Sequence, residues 1–299
     1  MLAVRSFFFS FSILWRLCLV APFLVIILAV YGLIGVLFLS IITSIFPLVG
    51  IAVILAASFA ISSSFPIMVG ARLGFQAKYE PARYGYGRMF MFSLIYGFCE
   101  ALVVMMIGGI AIGGVYASGV NFAMAADIES FFEGTAGAIV SLSTVFVISG
   151  LRSVMLVPMA GAALGRDSNG QPHTPFFEAG ARGLSLWVIA LLSMLLGPLI
   201  LVAIGIFAGL ADNEVLARFF ESYDRSGFAH TRFSWEVVGV IAATCVVSLW
   251  TFSWQAAAGV LVYLDKRDAH NAEDVVVHSE DDRAAARDLW KDRMPPGRR

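Results

Sequence analysis

Charge is what this sequence has least of. Asp, Glu, Lys and Arg make up 14% of its 299 residues, against 59% hydrophobic residues. With a mean hydropathy of +0.85, that composition excludes a soluble globule and points to a polytopic membrane protein. Cysteine is scarce: Cys18, Cys99 and Cys245 all lie inside apolar runs. They read as free, packed thiols, which excludes a disulfide framework and a thiolate metal site. The four histidines, His173, His230, His270 and His278, fall in loops and tail without zinc spacing. No basic patch with interleaved aromatics is present, so nucleic acid is not an expected partner. No cofactor or metal is expected. The net charge of −1 has no global meaning, because charge is segregated between loops.

What is present is a series of six apolar runs. The first, Leu17 to about Ser40, follows an aromatic stretch, Met1 to Trp15. That stretch reads as an interfacial segment, with Trp15 and Arg16 at the headgroups. The second runs from Leu48 to about Ala71, with Ser58, Ser62, Ser63, Ser64 and Pro66 inside it. Serines in a span bond to neighbouring helices, or satisfy carbonyls that a proline frees. The third runs from Met89 to Tyr116, where Gly109-x-x-x-Gly113 permits close helix approach. The fourth is Gly137 to Ala163, the fifth Gly183 to about Leu210 and the sixth Trp235 to about Leu264. The expected fold is all-α: six transmembrane helices over 1–270, then a polar tail, 271–299. In the tail, Ser279 and Asp282 resemble a capping box opening a short helix over about 280–293. Sixteen of the twenty Lys and Arg fall in the N-terminus, the loops at 72–88 and 165–182, and the tail; three fall on the opposite side. By the positive-inside rule both termini are cytoplasmic.

Two spans carry a charge. Glu100 in the third lies twelve residues after Arg88, and Arg152 in the fourth lies twelve residues before Leu164. At 1.5 Å per residue both sit roughly 18 Å from the same side. A charge near the bilayer centre costs about 2.5–3.5 kcal/mol. Two consecutive antiparallel helices that bring opposite charges to one depth are expected to pair them. Ser62, Ser63, Ser64 and Gln255 are the candidate polar lining around that pair.

The chain also echoes itself. Met68-Val-Gly-Ala-Arg-Leu-Gly74 and Met159-Ala-Gly-Ala-Ala-Leu-Gly165 close the second and fourth spans, and Ala258-Gly-Val-Leu261 is a faint third copy. Pro81 and Arg88 recur seven apart as Pro175 and Arg182, and Phe131-Phe-Glu133 recurs as Phe219-Phe-Glu221. The echoes define three parallel hairpin repeats, about 1–88, 89–182 and 183–270.

The sixth span ends Tyr263-Leu264-Asp265-Lys266-Arg267, followed by Glu273-Asp274. This ending resembles that of six-span bacterial inner-membrane proteins related to the membrane domain fused to glycerophosphodiesterases. The resemblance implies a multi-pass protein of the bacterial inner membrane and brings no catalytic residues. The Pro-x-acid-x-x-basic signature of mitochondrial-type carriers is absent at Pro22, Pro47 and Pro198.

Three functions stay open. The first is a non-catalytic scaffold, assembly or stability factor that docks another membrane or cytoplasmic protein through its tail. The second is a small-solute or ion transporter using Glu100 and Arg152. The third is an intramembrane lipid enzyme using Glu100 with Cys99, or Asp127 and Glu129. A polar cavity opening on Glu100 favours transport; a closed, packed pair favours the scaffold.

Overall fold

The computed structural model describes residues 1–82, 85–117, 134–207 and 235–293, and among these it is entirely helical apart from connecting turns and one isolated bridge. Asp127, Glu129 and the two Phe-Phe-Glu segments lie outside the described residues. The elements are α1 (Leu2–Ile45), α2 (Pro47–Phe59), a π-helical turn (Ala60–Ser64), α3 (Phe65–Ala77), α4 (Tyr86–Ala117), α5 (Thr135–Leu164), α6 (Gly183–Phe207) and α7 (Trp235–Arg293). Six stretches are long and apolar enough to cross a membrane: Leu2–Ile26, Ala52–Ala77, Tyr86–Ala111, Gly137–Leu164, Gly183–Ile204 and Val238–Ala272. The chain is a multi-pass membrane protein.

The second, fourth and sixth spans form the centre. α3, α5 and α7 pack on one another, and each remaining span fills a groove between two of them. α1 lies against α7 and α3, α4 against the α2–α3 segment and α5, and α6 against α5 and α7. Small residues let the central helices approach closely. A Cβ on Gly70 of α3 would meet Ala256 of α7 at 3.1 Å, and one on Gly259 of α7 would meet the Leu156 carbonyl oxygen of α5 at 2.7 Å. Gly70 and Gly259, in two of the echoed exit sequences, are therefore contact points of the central trio. Met68 and Met159, which open two of these sequences, are fully buried.

Four expectations are corrected. Met1 to Trp15 is not a separate interfacial segment: the helix is unbroken from Leu2, and Ser6, Ser10, Ile13 and Leu17 form one wholly buried face. The spacing of 4, 3 and 4 suits a helix packed along its length, and the two serines bond to their own helix at Ala3 O and Phe7 O. The tail helix is not separate either. α7 continues through Arg293 for 59 residues, because no Gly or Pro interrupts the chain between Gly259 and Pro295. A Ser279 cap therefore has no helix start to cap. The Gly109–Gly113 motif makes no close approach among the described residues, since a Cβ on either would meet none of them within 4 Å. Cys18 and Cys99 are half-buried, but Cys245 is exposed on the apolar surface, not packed.

Candidate functional site

The site begins with a fault in a helix. Pro66 has no N–H to give the carbonyl four residues before it, and the helix widens just upstream into the π-turn Ala60–Ser64. There the Phe65 N–H reaches back five residues to Ala60 O. Against this turn lies Gly97 of α4. A Cβ on Gly97 would stand 2.5 Å from Ala56 O and 2.6 Å from Ala60 N. Only glycine permits that backbone-to-backbone approach, and one turn further along α4 it delivers Glu100 to the widened turn.

Glu100 is fully buried. Arg152 of α5 donates from Nε to Glu100 Oε1 at 2.8 Å and from Nη2 to Oε2 at 3.4 Å. Ser63 Oγ lies 2.8 Å from Glu100 Oε2 and also 2.8 Å from Phe59 O. Both carboxylate oxygens are thus occupied by two neighbouring helices. Arg152 is 7% exposed, so the ion pair is sealed within the bundle. Buried charges persist only when paired and hydrogen-bonded in this way.

The other lining candidates go elsewhere. Ser62 is exposed. Ser64 is fully buried, and its hydroxyl has no partner among the described residues. Gln255 is buried and donates from Nε2 to Ser193 Oγ of α6 at 2.7 Å. Its neighbour Trp254 donates to Ser6 Oγ at 3.1 Å and stacks on Trp250. Cys99 adjoins Glu100 in sequence but is only half-buried. Among the described residues no group of three or more His, Cys, Asp or Glu is placed to hold a metal.

A second polar assembly closes one end of the bundle, where sequence inspection marks only loops. Glu80, just past α3, accepts from Arg166 Nη2 at 2.7 Å and Arg267 Nη1 at 2.6 Å. Asp265 accepts from Arg182 at 2.8 Å and lies 3.7 Å from Arg5. Glu178 accepts from the Ser168 hydroxyl and lies 3.6 Å from Lys266 Nζ. Tyr263 Oη donates to the carbonyls of Arg166 and Asp167 at 2.9 and 2.6 Å. Arg267 therefore holds Glu80 in the loop that follows the second span, and Tyr263, Asp265 and Lys266 hold the loop that follows the fourth. That is the work this short motif does here.

The same loop tucks His173 under Gly161, where a Cβ would meet the imidazole Nδ1 at 2.7 Å. Tyr96 Oη donates to Pro175 O at 2.7 Å and lies 3.4 Å from His173 Nε2. Burial pushes the His173 pKa down to about 4, against an opposing pull from Asp167. The imidazole is neutral at neutral pH. Gly161, inside the echoed exit sequence, was the available sign that something packs there.

Compared with protein-family models, curated proteins and solved structures, the chain matches none.

Proposed function

We propose that this is a non-catalytic protein of the bacterial inner membrane, a scaffold, assembly or stability factor, in which Glu100, Arg152 and Ser63 form a structural clamp. The observation that carries the reading is the closure of the pair. A transport site has to meet water or solute at some stage, yet Glu100 is fully buried and both its oxygens are occupied by protein donors. α7 adds support. At 1.5 Å per residue its 59 residues extend about 88 Å, against a hydrocarbon core of about 30 Å. The helix therefore runs well beyond the bilayer and offers a docking arm to another membrane or cytoplasmic protein.

In this reading both termini are cytoplasmic. Support comes from the Lys and Arg bias, and from Arg5, Arg166, Arg182, Lys266 and Arg267 gathering in ion pairs at one end of the bundle. The three hairpins act as parallel repeats. Their even-numbered helices meet at the centre through the echoed small residues, and each odd-numbered helix sits between its own partner and the preceding one. The Tyr263–Arg267 ending supports a resemblance to six-span bacterial proteins related to the glycerophosphodiesterase membrane domain.

The test is complementation of a deletion strain with the double variant Glu100→Gln/Arg152→Gln. A structural clamp predicts that a double variant restored to wild-type abundance also restores the phenotype. Normal abundance without rescue would instead assign the pair to ion or solute passage. A reporter active only in the periplasm, fused after Arg299, should stay silent; its activity would overturn the orientation.

A further inference from the structure

The clamped end of the bundle holds a cavity of about 300 Å³ that the clamp reading does not use. Its walls come from all three hairpins: Glu80 after α3, Arg166, Asp167 and Gly170 from the loop after α5, and Arg267 and Asn271 from α7. It sits where three of the apolar stretches end, at Ala77, Leu164 and Ala272. Glu80 is three residues past the span ending at Ala77, and Arg166 is two residues past the one ending at Leu164.

We propose that this cavity binds a phosphate ester, supplied by a phospholipid headgroup or by a soluble metabolite. Three observations converge. First, the carboxylates are engaged while donors remain. Glu80 takes one guanidinium on each oxygen, and Asp167 Oδ1 accepts the N–H groups of Asn169 and Gln171 at 3.0 and 2.8 Å. Arg267 commits Nε and Nη2 to Asp268, whereas among the described residues the Arg166 guanidinium bonds only through Nη2, to Glu80, which leaves in Arg166 the unpartnered donor. Second, Glu80 holds the two guanidiniums on its separate oxygens, and planar guanidinium donors suit phosphate oxygens. Third, the wall is rigid. Tyr263 pins the Arg166 and Asp167 carbonyls, Arg166 bridges to Pro172, and Gly170 turns the loop at φ +79° with no side chain to fill the mouth. The volume lies at the lower limit of small-molecule pockets, which suits a headgroup. The site needs only the bundle and a membrane. It stands whether or not the scaffold reading does.

The experiment uses the full chain in nanodiscs of phosphatidylethanolamine and phosphatidylglycerol, with two variants. Arg166→Gln removes the unpartnered donor and leaves Glu80 paired with Arg267. Asn271→Trp blocks the mouth and removes none of the named ion pairs. Native mass spectrometry of released protein should show one retained phospholipid on the wild type, with occupancy at least tenfold lower on both variants. In delipidated protein, a rise in melting temperature with glycerophosphoethanolamine but no lipid retention would assign the same site to a soluble phosphate ester. That protection too must disappear in both variants. Neither effect in the wild type, or either effect undiminished in Asn271→Trp, would overturn the proposal, and this holds even if Arg166→Gln fails to fold.

Discussion

The sharpest consequence of the sealed pair is an asymmetry between its two halves. Breaking a buried ion pair by removing one partner costs about 3–5 kcal/mol, because the other charge is stranded. The two stranded charges are not equivalent. A carboxylic acid has an uncharged form that can still hydrogen-bond. A guanidinium gives up its proton at no accessible pH. Arg152→Gln should therefore lose about 3 kcal/mol, the low end of that range. Glu100→Gln should be the worse of the two, at about 5 kcal/mol. The double variant should recover much of either loss, leaving the uncharged amides and Ser63 to bond one another. The assay is reversible unfolding in mixed micelles by added denaturing detergent, followed by tryptophan fluorescence at pH 7. Each variant is compared with wild type in the same micelles. If both single variants lie within about 0.5 kcal/mol of wild type, as surface substitutions do, the clamp carries no stability. If Arg152→Gln proves less stable than Glu100→Gln, the stranded guanidinium is not the costlier of the two charges.

Gly97→Ala should lose about 1–3 kcal/mol by overpacking, since its Cβ would stand 2.5 Å from a backbone oxygen. Gly108→Ala, where a Cβ meets nothing within 4 Å, should be neutral or stabilising by about 0.5–1 kcal/mol; equal melting temperatures for the two variants would refute the contact. His173 is neutral when folded, with a pKa near 4, and ordinary when unfolded. Acid therefore favours the unfolded chain: its contribution is intact above about pH 6.5 and is lost as pH falls toward 4, at most about 3 kcal/mol. His173→Gln should flatten that part of the stability–pH profile, and an unchanged profile would count against a buried neutral imidazole. Tyr263→Phe removes one hydroxyl shared by two carbonyls. It should cost about 1–2 kcal/mol and speed proteolysis between Arg166 and Arg182; unaltered cleavage would show that the loop is held by its ion pairs instead.

The helical class and the pairing of Glu100 with Arg152 were both legible without coordinates. Apolar runs of about 20 residues have one stable form in lipid, since every backbone polar group must be satisfied within the segment. A charge in each of two adjacent spans, equally deep, has few other ways to be neutralised. The spacing that sets depth is a local property of a helix, so it can be counted along the chain. Which face a serine presents, and against which helix, is not local. Ser62, Ser63 and Ser64 are indistinguishable in the sequence, yet a π-turn hands Ser63 to Glu100, leaves Ser64 buried and turns Ser62 outward. That turn depends on Pro66 upsetting the local ladder and on Gly97 admitting a second backbone, residues 31 positions apart. The end of the bundle was decided in the same way. Glu80 and Arg166 lie in loops and Arg267 in the ending of the sixth span, and only the packing of α3, α5 and α7 brings both arginines onto the Glu80 carboxylate. Helix formation and membrane insertion are thus determined by composition and period within each segment. Register between segments is determined by which small residues let backbones meet, and that is a property of the assembled bundle.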